Sequence, residues 1–150
     1  MKKYGCPIIV STHPRTKKKL ESLKNRTDNE RIHFLPPFGF FDYICLQQNS
    51  LCVISDSGTI SEEAAILKFP AITFRNAMER PEAMDTGNIS LTGLNKATIL
   101  NVLEYVSKSK DTLQHSELPD AYKVTNTSER VMKILLGTIH IIKRWQGIDL

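Results

Sequence analysis

The 150-residue sequence has few cysteines and no long apolar run, and each absence excludes a class of protein. Cys6, Cys45 and Cys52 lack metal-ligand spacing, and an odd count argues against a disulfide framework. No stretch approaches the roughly 20 apolar residues that cross a membrane, and residues 1–3 lead into a strand rather than a signal-peptide core. We therefore expect a cytoplasmic protein with no membrane partner, no metal and no cofactor.

Aromatic residues are also scarce, at 7% of the chain, while the formal net charge is +4. Much of the positive excess lies between residues 15 and 26, where no aromatic residue interleaves with the charges to form a stacking surface. A solvated helix face therefore explains these charges better than nucleic-acid binding does. The same charges can still attract a small polyanionic ligand.

Short apolar runs alternate with helical patterns along the chain and predict five strands and five helices. The predicted strands are 7–10, 32–35, 51–54, 71–74 and 89–92; the predicted helices are 15–25, 40–49, one from Thr59, one from Asn95 to about 108, and one over about 127–145. This alternation predicts one α/β domain over residues 1–150, a three-layer Rossmann-like parallel sheet. We expect the first strand to be buried, and we expect one loop after Pro81 that contains residues 84–87 and a second loop over residues 109–123.

Helix starts are indicated by capping residues. Thr59 with Glu62 fits the S/T-x-x-E capping box, and residues 126–129 (NTSE) repeat the pattern. Asn95 is expected to cap the fourth helix, and Thr16 or Ser11 the first. The last helix carries more apolar surface than a free tail should, so we expect it to pack on a surface outside this chain.

The stretch from residue 51 to residue 80 combines a strand, a tight turn and a helix. Gly58 in the turn lets the backbone approach a ligand, and the next few amides have no partner inside the helix. In open parallel sheets, ligands bind at the carboxyl ends of the strands. The turn is therefore a candidate anion site.

Polar groups follow four of the predicted strands, and in one parallel sheet they share an edge. These groups are His13, residues 38–43, the Ser57-Gly58 pair and residues 75–80. A phosphate at the turn can accept from the Ser57 hydroxyl, with Arg80 as a bidentate cation and His13 as a second donor. Glu63 lies one turn into the helix, where a carboxylate can hold a ribose diol. Together these residues describe a nucleoside diphosphate site.

Each of these residues also has a purely structural explanation. Ser57 and Thr59 can serve as helix caps, and His13 can be a hydrogen-bonded structural histidine. The two glutamates at the helix start favour the macrodipole without any ligand, and Arg80 can pair with a neighbour. Pattern alone therefore indicates an α/β domain that binds a phosphorylated ligand.

Two linked motifs resemble the non-hydrolysing UDP-N-acetylglucosamine 2-epimerase family. Residues 55–64 (SDSGTISEEA) and 75–83 (RNAMERPEA) closely resemble its (S/T)DSGG-x-x-EE and R-x-x-TERPE patterns, and the similarity extends from about residue 8 to residue 93. The resemblance implies a GT-B-like fold of two Rossmann-like domains with the active site in the cleft between them. This chain would be the carboxyl-terminal half, and its partners the missing amino-terminal domain and a second copy in a homodimer.

The resemblance assigns roles to six positions. They are His13, Tyr43, Ser57, Gly58, Glu63 and Arg80. It implies that Ser57, Gly58 and Arg80 hold the diphosphate of UDP or of a UDP-N-acetylhexosamine. Glu63 would bind the ribose hydroxyls, Tyr43 would lie against the uracil, and His13 would act in catalysis by stabilising the departing UDP.

The sequence also departs from the family pattern. The second family glycine is Thr59, and the usual H-R-x-E-N is residues 13–17 (HPRTK), so the arginine linked to activation by a second UDP-sugar is missing. Residues 13–15, 36–43 and 84–87 resemble the branch that forms UDP-N-acetyl-L-fucosamine.

The resemblance implies C2 epimerisation by elimination and re-addition of UDP, in bacterial capsule or O-antigen synthesis. The acid and base beside C2 would lie in the other domain, so this chain alone would be inactive. Two alternatives remain open. One is the donor-nucleotide domain of a GT-B glycosyltransferase, and the other is a non-catalytic nucleotide-binding module.

Overall fold

The fold alternates strands and helices in two compact units, Met1–Asn49 and Ser50–Leu150. The computed structural model describes residues 4–22, 29–108 and 117–142. All the strand pairs in these ranges are parallel. The predicted α/β class with parallel strands is therefore confirmed.

The first unit contains a two-stranded sheet and two helices. Its elements are β1 (Ile8–Ser11), α1 (Pro14–Ser22), β2 (Ile32–Leu35) and α2 (Phe40–Asn49). The parallel register places Ile8 opposite Ile32 and Ser11 opposite Leu35. The predicted end of the first helix, residues 23–25, lies outside the described residues.

The prediction that the first strand is buried is wrong. Ile8 and Ile9 remain 42% and 45% exposed. The strand pairs with β2 on one side, and α1 contributes no buried residue because its apolar stripe is thin. β-branched residues predict a strand whether or not another layer covers it, so their pattern does not determine burial.

The second unit contains a three-stranded sheet in the order β3-β4-β5. Its elements are β3 (Val53–Ser55), α3 (Ile60–Leu67), β4 (Ala71–Thr73), α4 (Glu82–Asp85), β5 (Ile89–Leu91), α5 (Lys96–Lys108), a 3₁₀ turn (Asp120–Tyr122) and α6 (Thr127–Thr138). The sequence predicts one sheet, whereas the strands form a two-stranded and a three-stranded sheet. The prediction of a single domain over residues 1–150 stays a prediction.

The core of the second unit lies between the sheet and α3. It consists of Ile60, Ala64, Ala65, Phe69, Ala71, Ala83 and Ile89. All three residues of β4 are buried, as expected for a central parallel strand. The α3 helix ends at Lys68, whose left-handed φ of 58° stops the helix and turns the chain into Phe69 and β4.

The predicted helix starts are right, but neither capping box forms. Thr59 occupies the N-cap position of α3 without a side-chain cap bond, and its hydroxyl donates to Glu63 Oε1 at 2.6 Å. Asn126 precedes α6, and its side-chain amide donates to Glu129 Oε2 at 3.3 Å. Only Asn95 caps as predicted, because its Oδ1 accepts the Thr98 amide at 3.0 Å.

Two short elements occupy regions that the sequence predicted as loops. They are α4 and the 3₁₀ turn at Asp120–Tyr122. Neither is long enough for apolar periodicity to appear, and residues 109–116 of the second predicted loop lie outside the described residues.

The α6 helix has no buried residue, and its large apolar side chains are exposed. Its predicted residues 143–145 lie outside the described residues, and its packing on a missing domain stays a prediction. Within the described ranges, the helices are too short or too polar to cross a bilayer.

The three free cysteines differ in environment, and we expect them to differ in reactivity. Cys6 and Cys45 are exposed, whereas burial raises the pKa of Cys52 from 9.0 to about 12. Because the thiolate is the reactive form, maleimide at pH 7.5 should label Cys6 and Cys45 quickly and Cys52 only after denaturation. Mass spectrometry of digested peptides measures this, and rapid labelling of Cys52 in the folded chain would contradict it.

Because of the same thiol, we expect the folded chain to lose stability in alkali. The folded chain holds the Cys52 proton more tightly than the unfolded chain. The stability that the protonated thiol contributes is therefore complete below pH 9 and is lost as pH rises toward about 12. Urea unfolding of Cys52→Val should show a weaker decline over this range, whereas Cys6→Val should behave as the wild type.

Candidate functional site

A chain of hydroxyl contacts organises the turn between β3 and α3. The Ser55 hydroxyl accepts the Ser57 amide at 3.0 Å, and the Ser57 and Thr59 hydroxyls lie 3.0 Å apart. Thr59 then donates to Glu63. The turn therefore fixes the Ser57 hydroxyl and the Glu63 carboxylate in one connected network on the exposed side of the unit.

Thr59 stands where the resembled family has a second glycine, and the backbone shows why threonine is accepted. Its φ of −78° and ψ of −9° lie in the right-handed helical region, which any residue adopts. Gly58 is different, because a Cβ atom there would lie 3.0 Å from Arg80 Nη1. A side chain at position 58 would therefore press on the Arg80 guanidinium, which would have to move by a few tenths of an ångström.

Arg80 reaches the turn from the loop that follows β4. Its Nη1 donates to the Gly58 carbonyl at 2.8 Å, and its Nε pairs with Glu62 Oε1 at 2.9 Å. No described residue accepts a hydrogen bond from Nη2. The side chain therefore has both structural partners and donors that remain available to an anion.

Backbone donors accompany the guanidinium. Among the described residues, none accepts a hydrogen bond from the amides of Gly58 or Ile60, at the entrance to α3. The aligned peptide dipoles of α3 add partial positive charge at this end. The turn can therefore bind a phosphate through amides and one guanidinium, and the Ser57 hydroxyl can donate to it by turning away from Thr59.

A groove of about 420 Å³ adjoins Arg80. Glu62, Ile66, Glu82, Tyr122 and Val124 contribute to its lining. Burial raises the pKa of the Tyr122 hydroxyl, the Glu62 and Glu82 carboxylates raise it further, and Arg80 opposes them. The sequence indicates only a helix-start role for Glu62 and places Tyr122 in a loop, since nothing local marks two residues about 60 positions apart as neighbours.

His13 and Tyr43 belong to the first unit. His13, rather than Thr16 or Ser11, caps α1: its carbonyl accepts the Lys17 amide at 3.0 Å, and its Nδ1 accepts the Arg15 amide at 3.2 Å. In a neutral ring this bond leaves the proton on Nε2, as a donor. The half-buried Tyr43 lies in the first turns of α2, where its amide donates to the Gly39 carbonyl.

The structure brings together four of the six predicted site residues, namely Ser57, Gly58, Glu63 and Arg80, within the second unit. The place of His13 and Tyr43 beside them stays a prediction. Among the described residues, no group of three or more histidine, cysteine or acidic side chains is arranged to hold a metal ion.

Parallel strands separated by helices, with polar turns at the strand ends, define a Rossmann-like α/β protein. The profile of the UDP-N-acetylglucosamine 2-epimerase family matches residues 1–136, and the chain belongs to this family. A UDP-N-acetylglucosamine 2-epimerase from Methanocaldococcus jannaschii is 33% identical over 135 residues, and one from Methanococcus maripaludis is 40% identical over 111 residues.

Solved structures of the family align with most of this chain. The UDP-N-acetylglucosamine 2-epimerase from Rickettsia bellii has a TM-score of 0.79 at 39% identity and covers 95% of this chain. The Methanocaldococcus jannaschii enzyme in complex with UDP-GlcNAc and UDP has a TM-score of 0.76 at 33% identity and covers 90% of this chain.

The chain is much shorter than the proteins it matches. It covers 36% and 30% of the two archaeal relatives, and 39% and 37% of the two solved chains. This coverage is consistent with a carboxyl-terminal domain of the GT-B-like family fold.

Proposed function

We propose that this chain is the UDP-binding domain of a UDP-N-acetylhexosamine 2-epimerase. The observation that carries the proposal is the Arg80 guanidinium, which is anchored on the Gly58 carbonyl while its Nη2 donors have no described acceptor. A fork-shaped cation beside free helix amides suits a diphosphate. The relative crystallised with UDP-GlcNAc and UDP supports the choice of nucleotide.

Each residue of the turn has a role in holding UDP. Arg80, the Ser57 hydroxyl and the Gly58 amide contact the diphosphate, whose negative charge grows as the bond from sugar C1 to the phosphate oxygen breaks. Glu63, oriented by the Thr59 hydroxyl at 2.6 Å, accepts hydrogen bonds from the ribose diol. The turn thereby stabilises UDP as the leaving group.

The complete reaction needs groups that we assign elsewhere. Elimination removes the proton from C2 together with UDP, and re-addition returns both with inverted configuration at C2. The acid and base beside C2 belong to an amino-terminal domain, on which the exposed apolar face of α6 packs. His13 donates to the diphosphate, and Tyr43 lies against the uracil. The chain without that domain is inactive.

The biological setting is proposed from the same resemblance. The full-length enzyme is a cytoplasmic homodimer that makes a nucleotide sugar for bacterial capsule or O-antigen. The combination of residues 13–15, 36–43 and 84–87 favours the branch that forms UDP-N-acetyl-L-fucosamine.

Isothermal titration of the chain with UDP tests the proposal. We expect UDP to bind and uridine, which lacks the diphosphate, to bind at least about 10-fold more weakly, because charge-assisted hydrogen bonds are lost. Equal affinities, or no binding of UDP, would refute the assignment. If the complete protein transfers sugar to an acceptor and forms no C2 epimer, the glycosyltransferase alternative is selected instead.

The ribose contact has its own test. Wild-type chain should prefer UDP over 2′-deoxy-UDP by about 10-fold, since an ionised carboxylate loses a hydroxyl partner. Glu63→Ala should bind both nucleotides with one weak affinity. Glu117→Ala, which removes an exposed carboxylate from the same unit, should retain the preference. A preference that survives in Glu63→Ala would place the ribose elsewhere.

A further inference from the structure

Glu62 and the Gly58 carbonyl hold the Arg80 guanidinium through two of its three nitrogens. Glu62 Oε1 pairs with Nε at 2.9 Å, and the Gly58 carbonyl accepts from Nη1 at 2.8 Å. Two acceptors on different nitrogens fix the plane of the group, because the guanidinium is rigid. The remaining nitrogen, Nη2, is then held in one orientation.

The ion pair lies beside two buried oxygen atoms that lack partners. Glu62 Oε2 and the Tyr122 hydroxyl are both buried, and neither has a hydrogen-bond partner among the described residues. Both residues line the groove beside Arg80. An unsatisfied buried polar atom carries a cost, and here one atom is an acceptor and the other a donor.

The rest of Tyr122 is fixed in place. Its ring packs against the core cluster of the second unit, and its amide donates to the Pro119 carbonyl at 2.9 Å. The hydroxyl is therefore presented to the groove by a rigid support. A donor without an acceptor and an acceptor without a donor therefore belong to residues that line the same groove.

We propose that Glu62 is a positioning residue for Arg80, and that the Tyr122 hydroxyl donates to Glu62 Oε2 when nucleotide binds. The relay runs from Tyr122 through Glu62 to Arg80 and holds Nη2 toward the diphosphate. This inference rests on the proposed function, since it assumes that Arg80 binds the diphosphate of UDP.

The contribution of the ion pair to folding stability does not by itself explain the glutamate at position 62. Both side chains are partly exposed, at 42% for Arg80 and 30% for Glu62, and exposed pairs contribute little to folding. The orientation of Arg80 is a different quantity. It affects ligand affinity even where it scarcely changes the free energy of unfolding.

The first test measures UDP affinity by calorimetry. We expect Glu62→Gln to weaken binding by about 10-fold, because Arg80 loses a charged acceptor, and Tyr122→Phe by about 3-fold, because the hydroxyl acts on Arg80 only through Glu62. The double variant should bind no more weakly than Glu62→Gln, because the hydroxyl acts only through the carboxylate. If Glu62→Gln does not fold, Glu62→Asp takes its place in the titration, because aspartate keeps the charge on a shorter side chain.

Glu82→Gln is the matched control. It removes a carboxylate from the same groove that is not paired with Arg80, and should bind UDP as the wild type does. Wild-type affinity in Glu62→Gln, or strictly additive losses in the double variant, would overturn the relay.

The second test needs no ligand. In ¹⁵N NMR, the Arg80 Nε–H resonance, assigned by its absence in Arg80→Lys, should be sharp and shifted in the wild type and broadened in Glu62→Gln. If this holds but the wild type binds no UDP, the nucleotide assignment fails and the orientation by Glu62 stands. A resonance unchanged in Glu62→Gln overturns the positioning role even where UDP binds.

Discussion

Arg80→Ala is expected to lower the affinity of the chain for UDP by about 100-fold or more, because each hydrogen bond to a charged group contributes about 1.5–3 kcal/mol and Arg80 is proposed to make at least two. The substitution also leaves Glu62 without its cation beside the anion site. Calorimetry at constant ionic strength measures the loss, since screening by salt changes such affinities.

Arg80→Lys separates charge from geometry. Lysine keeps the positive charge but cannot reach the Gly58 carbonyl, Glu62 and a phosphate at once, so it should recover only a small part of the affinity. Arg130→Ala, which removes an exposed cation from α6, should bind UDP as the wild type does. If Arg80→Ala and Arg130→Ala bind equally well, the diphosphate does not contact Arg80.

Phe69→Ala is expected to destabilise the second unit by about 3–5 kcal/mol, because it removes a large side chain from a closed core. Phe69 is 1% exposed and belongs to the cluster formed with Ile60, Ala64 and Ala65. Since small domains are stable by only about 5–15 kcal/mol, this loss is a large share of the total. Urea unfolding should show a much lower midpoint.

Phe41→Ala is the control for the same change of residue. Phe41 is 84% exposed, so its removal should alter the free energy of unfolding by no more than about 0.5 kcal/mol. A wild-type midpoint for Phe69→Ala would show that the core does not close around this ring.

Local patterns predicted the parts of the site that lie close together in sequence. Ser57 and Gly58 follow a strand and open a helix, and the strand-end rule points to such a turn without reference to distant residues. The same rule placed Arg80 at the neighbouring strand end, where the structure has it in contact with Gly58. Asn95 capped its helix for an equally local reason.

Contacts between distant positions explain the predictions that failed. Glu62 was expected to return to the Thr59 amide, but it pairs with Arg80, 18 residues later. Thr59 in turn donates to Glu63. In a capping box the Glu62 carboxylate accepts from one neutral amide, whereas the Arg80 guanidinium is itself charged, so the pairing with Arg80 is the stronger of the two. No motif at Glu62 records that Arg80 is near.

Burial was the other quantity that the sequence did not determine. The apolar residues of β1 and β4 look alike in composition, yet Ile72 is fully buried and Ile8 is not. The difference depends on which elements cover each strand, and β4 has strands on both sides as well as α3 packed nearby. Such coverage is a property of the tertiary arrangement.

The Arg80 contacts have a mechanical consequence for the second unit. One side chain ties the loop after β4 to the turn before α3 through Gly58 and to the first turn of α3 through Glu62, so the two segments are cross-linked without a covalent bond. A displacement of either segment is transmitted to the other through a rigid, planar group. A force applied at the turn is therefore transmitted to the end of the neighbouring strand.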